Sequence, residues 1–157
     1  MESYFVEMTR DPILLEKSLA RISADEFGAV NFFMGVVRNL HAGKTVTGIT
    51  YDAHEGLARK TLEDICSEAQ GMWGETKLFV AHYIGYLPVG GASVLVGVSS
   101  PHREESFEAC RYIIEEIKER LPVWKKEHYV DGTSGWLPGH SLKEEAEAAS
   151  FCCGSCG

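Results

Sequence analysis

No apolar run in this 157-residue chain approaches the ~20 residues that a membrane-spanning helix needs. The opening residues, MESYFVEMTRDP, lack the charged segment and apolar stretch of a secretory signal. Neither membrane insertion nor export is therefore expected, and the reading is a cytoplasmic protein. Basic residues are scarce, with 15 Lys+Arg against 23 Asp+Glu and a formal charge of −8. That balance works against broad nucleic-acid binding, whose affinity comes from neutralising phosphates. It leaves room for a small anionic substrate in a local basic pocket. The six histidines show no H-x-x-x-H spacing, so no catalytic metal is expected. Cysteines number five, unevenly placed. Cys66 and Cys110 fall inside helical patterns, where a free cysteine behaves as a small hydrophobe. Cys152, Cys153 and Cys156 crowd into the last six residues, unlike the dispersed spacing of a disulfide framework. Internal repeats are absent.

What is present fits one globular domain: 45% hydrophobic residues, enough for a core, and an ordinary 24% charged. Asp11-Pro12 predicts a helix start, with ILLEKSLARI helical to about Ile22. Gly28–Val37 reads as a buried strand, followed by a polar loop from Arg38 to Lys44 and a second strand over Thr45–Ala53. Leu57–Trp73 has helical spacing. Lys77–Leu87 and Ala92–Ser99 read as paired strands around a Pro88-Val89-Gly90-Gly91 turn. Ser100 is expected to cap a helix with Pro101 in its first position. The buried stripe of that helix would be Phe107, Cys110, Ile113, Ile114, Ile117 and Leu121, and Pro122 would end it. A short extended piece is expected after Glu127, then a Gly-rich turn through Trp136, and the pattern over Lys143–Ala149 is compatible with a further short helix. Without a strict βαβ repeat, the class is α+β, a mixed or antiparallel sheet with flanking helices. The domain spans 1–142, with a tail over 143–157.

Basic residues gathered in an acidic chain need a local reason. The first turn of a helix exposes unpaired N–H groups and a positive dipole end, and Arg103 would add a fork matching phosphate geometry. His102 and Arg103 are thus candidates for anion binding, or simply a solvated helix start with Arg103 paired to Glu104 or Glu105. Lys118 and Lys125 flank Pro122, which lets the chain fold back and bring them together. Two ammonium groups beside an apolar wall such as Trp124 would lower each other's pKa. The alternative is a pair of surface lysines. Arg38 leaves the end of an apolar strand, a common mounting point for site residues, or is a surface arginine.

The ordered set Gly28-Ala29-Val30, Gly35-Val36-Val37-Arg38-Asn39, His82-Tyr83-Ile84-Gly85, Val96 to Arg103, Phe107-Glu108-Ala109, Ile117-Lys118 and Pro122 to Glu127 resembles the MoaE family. These are the large, catalytic subunits of molybdopterin synthase. The resemblance covers roughly two thirds of the chain, Gly28 to Trp136. It implies an alpha/beta-hammerhead-like fold and a sulfurtransferase without a cofactor. A small ubiquitin-like carrier subunit with a C-terminal Gly-Gly thiocarboxylate would supply sulfur to cyclic pyranopterin monophosphate, building the dithiolene that later holds molybdenum. By the resemblance, Val36, Val37, Arg38, His102 and Arg103 bind the pterin. Lys118 and Lys125 are catalytic, with Lys126 and Glu127 in the same pocket. Lys118 leads, as base, electrostatic stabiliser or transient nucleophile.

Arg103 and Lys118 lie 15 positions apart on one expected helix, about 22 Å along its axis. One small pterin cannot touch both within a single subunit, so a shared site would combine two copies of the chain. That predicts a symmetric dimer, the core of a heterotetramer in the family. Two other classes are open: a non-catalytic binding module that retains the carrier groove, and a thiol- or metal-handling protein built on the cysteine tail. Cys153 and Cys156 have C-x-x-C spacing, suited to a soft metal or a redox pair, although three ligands leave a zinc site incomplete. Otherwise the tail has no essential function. His140 is a further candidate for a basic contact near the pocket.

Overall fold

The computed structural model describes residues 3–137, which form nine strands and three helices in two sheets. The first sheet runs β1-β5-β7-β2, from strands β1 (Tyr4–Thr9), β5 (Lys77–Tyr83), β7 (Ala92–Ser100) and β2 (Ala29–Val36). Only β1 and β5 are parallel. The second runs β3-β4-β8-β9, from β3 (Leu40–His41), β4 (Lys44–Ala53), β8 (Val123–Tyr129) and β9 (Ser134–Trp136), with β6 (Gly85–Pro88) also on β4.

Strand alternation builds two apolar layers. Leu78, Val80, Val94, Val96 and Val98 join the main core with α2 (Glu55–Trp73) and α3 (Arg103–Arg120). Phe79, Ala81 and Leu95, on the other side of the pleat, pack with Ile22 of α1 (Leu15–Ile22). A sheet covered on both faces needs near-continuous apolar runs, which is what β5 and β7 carry. The α+β class with a mixed sheet and flanking helices holds, divided between two sheets.

Several local expectations change. The helix expected from Pro12 begins at Leu15, with Leu14 at its N-cap, because the Asp11 N–H donates to Thr9 Oγ1 in a turn instead of Asp11 capping. The strand over 28–37 is not buried. As β2 it is a sheet edge, leaving Val30, Met34 and Val36 exposed. Lys77–Leu87 is two strands, since Gly85 at φ 117 breaks the run and hands β6 to the second sheet. Ser100 is not a cap: β7 continues through it opposite Ala29, and its hydroxyl donates to the His102 carbonyl. The N-cap of α3 is His102. Phe107 is exposed, and Ser106 and Ala109 complete the buried stripe. Strands β1, β3, β8 and β9 are not among the expected strands; β3 lies inside the expected polar loop, where Leu40 and His41 pair with Thr45 and Lys44. The tail cysteines, His140, the 143–149 helix and the boundary at 142 lie outside the described residues.

Candidate active site

A cavity of about 380 Å³ opens where both sheets meet the C-terminal half of α3. One wall is the β2 edge from Phe33 to Val37, continuing into Arg38. The residue after the strand is anchored, with the Val37 N–H donating to Gly91 O at 3.0 Å and its carbonyl accepting from the Gly90 N–H at 2.8 Å. Arg38, itself exposed, therefore leaves a fixed point.

The opposite wall is the β4–β8 ladder. Tyr51 faces Lys125 and Ile49 faces Glu127 across the strands, and all four line the cavity. Period-2 alternation puts Lys125 and Glu127 on one face, 4% and 1% exposed. Lys126, between them, belongs to the other face: its ammonium lies 5.7 Å from the Trp136 ring, and it is not a cavity residue. Trp124 shares that outer face and is exposed, so it is not the apolar wall beside Lys125. Tyr51 is, with the Lys125 ammonium 6.0 Å from its ring centroid.

Lys118, in the last turn of α3, reaches the same cavity half-buried. The reversal at Leu121 and Pro122 returns the chain into β8, which brings both lysines to one space. His102 and Arg103 are exposed at the other end of α3 and are not among the lining residues.

Three polar features were not assigned from sequence. His82 is buried and lines the cavity, its Nδ1–H donating to the Tyr83 carbonyl at 2.8 Å, its ring edge-on to Tyr51. Burial, reinforced by the Lys125 charge, drops its pKa to about 4, so the ring is neutral at pH 7. His41 Nδ1 lies 2.7 Å from Glu127 Oε1. The second oxygen, Oε2, is buried without a hydrogen-bond partner among the described residues. His82 stood within a quoted motif. His41 carried no signal, because its partner lies 86 positions away.

Two lysines lining one cavity with apolar walls, with a carboxylate and a neutral imidazole in the same lining, can hold an anionic tail and stabilise charge developing in acyl chemistry. Comparison with known proteins gives the chain a family. Residues 8–120 match the family model described as MoaE protein. A Synechococcus elongatus protein named "Molybdopterin synthase catalytic subunit" is 45% identical over 141 residues, covering 89% of this chain and 86% of that relative. A Bacillus subtilis protein of the same name is 39% identical over 140 residues, covering 89% and 88%. Among solved structures, a molybdopterin synthase from Staphylococcus aureus superposes with a TM-score of 0.81 at 35% identity, covering 88% of this chain and 99% of that one. With the family model matching residues 8–120, most of this chain, and relatives of this identity along nearly all of it, the chain belongs to the MoaE family.

Proposed function

We infer that this chain is the catalytic subunit of a molybdopterin synthase. It is a sulfurtransferase that moves sulfur from the thiocarboxylate tail of a small ubiquitin-like carrier to cyclic pyranopterin monophosphate, in the cytoplasm. The observation that carries the reading is the meeting of Lys118 and Lys125 in one cavity with Arg38 at its rim. A thiocarboxylate tail entering an apolar trough needs cations at its end, and cleavage of the acyl–sulfur bond develops negative charge that preorganised ammonium groups stabilise. The pterin's cyclic phosphate suits an arginine fork.

His102 and Arg103 enter the same site only through a second copy. Both ends of the helix are fixed in one chain, about 22 Å separating Arg103 from Lys118 along the axis. The exposed apolar edge of β2 supports a dimer, since an uncovered edge strand with Val30, Met34 and Val36 outward is otherwise a site of unwanted pairing.

Reconstitution tests the reading. The chain is mixed with thiocarboxylated carrier and cyclic pyranopterin monophosphate, and dithiolene product is measured for wild type and Lys118→Ala. Wild-type product with a loss of about 100-fold or more in the variant supports it. Bound carrier without product from wild type would instead make the chain a binding module.

A further inference from the structure

Glu127 is the least accommodated polar group in the cavity. Its side chain is 1% exposed and its Oε2 is buried with no hydrogen-bond partner among the described residues. A buried carboxylate oxygen is costly unless a donor or cation meets it, so an idle oxygen calls for an explanation. Its other oxygen is held by His41 at 2.7 Å, and the Tyr129 hydroxyl is a second donor beside the same carboxylate. A carboxylate only accepts, so Nδ1 of His41 carries the proton and donates.

His41 is well built for this task. It ends β3, and the next two residues, Ala42 and Gly43, turn at φ 49 and 77 straight into β4. Positive φ at both turn residues marks the tight hairpin whose twist matches its strands. Its ring therefore comes from a short, defined hairpin while Glu127 comes from β8, and both line the cavity. The ring is 24% exposed, so it forms part of the wall and not of the deep core.

We propose that His41 is a positioning residue of the sulfur-transfer site. It fixes Glu127 through Oε1, with Tyr129 alongside, and presents Oε2 as an acceptor for an N–H or O–H group that enters beside Lys118 and Lys125. The inference rests on the functional reading above. A purely structural clasp, tying the hairpin to β8, would use the same hydrogen bond, and the two differ in what they do to turnover.

Steady-state kinetics of the reconstituted enzyme separate them, using His41→Ala, His41→Asn and Glu127→Gln. Asparagine places an amide N–H close to the position of Nδ1. The expected result is a kcat about tenfold or more lower in His41→Ala, with KM for the pterin nearly unchanged. His41→Asn should recover to within about threefold of wild type, and His41→Ala should add nothing further in the Glu127→Gln background. If the alanine variant does not fold, His41→Leu, which fills the space without donating, takes its place. Wild-type kcat in His41→Ala, an asparagine variant as slow as alanine, or multiplicative losses in the double variant would each overturn the proposal. A wild-type chain that makes no product overturns the functional reading itself, so the two failures are distinguishable.

Discussion

Lys118 lies in the last turn of α3 and Lys125 early in β8, yet both open into one cavity, because Leu121 and Pro122 turn the chain back on itself between them. The helix supplies one ammonium and the cross-strand partner of Tyr51 supplies the other. The neighbouring Lys126 points to the opposite face.

This arrangement separates two adjacent lysines sharply. Lys125→Ala should lower turnover by about 100-fold or more, by removing a preorganised charge from the cavity. Lys126→Ala, losing a contact over Trp136 on the outer face, should stay within about threefold. Equal losses in the two variants would show that the facing of β8 does not govern catalysis.

A site shared between copies predicts complementation. Arg103→Ala and Lys118→Ala should each be inactive alone. Mixed under conditions that exchange subunits, half the dimers become mixed and each of those regains one intact site of two. About a quarter of wild-type activity should return. No recovery in dimers shown to have exchanged would mean that each subunit holds a complete site.

Buried His82 sets a pH dependence of stability. Its pKa is lowered to about 4 by burial, with a contribution from Lys125, against 6.5 when unfolded. Between those values the unfolded chain binds a proton that the folded one does not. Stability from keeping the ring neutral is therefore full above about 6.5 and falls as the pH drops toward 4, by on the order of 3 kcal/mol. Denaturant unfolding of wild type and His82→Gln across this range tests it: the variant should be less stable at pH 7 and show a shallower decline. Parallel curves would remove His82 as the source.

Ala42 occupies the left-handed region at φ 49, where a Cβ is strained. Ala42→Asn should stabilise the protein by roughly 0.5–1 kcal/mol, read as a raised denaturant midpoint at unchanged m-value. A lowered midpoint would place the hairpin in some other conformation.

Much of this protein was legible in its chain. The apolar spacing of Leu57–Trp73, the doubly covered runs of β5 and β7, and the break at Pro122 are local properties, fixed by 3.6- and 2-residue periods and by a missing N–H. The ordered motifs from Gly28 to Trp136 led to the family and to both lysines, since chemistry concentrates in residues of particular type at particular separations. Other features were decided only when the chain folded. Whether an apolar strand such as β2 is buried or forms an edge depends on which strands remain to pair with it, not on its own residues. The sheet exchange at Gly85, the outward turn of Trp124 and Lys126, and the grip of His41 on Glu127 are all products of pairing across distant positions. A sequence carries its periods locally, but register and long-range electrostatics exist only between segments, and so tertiary structure alone set them.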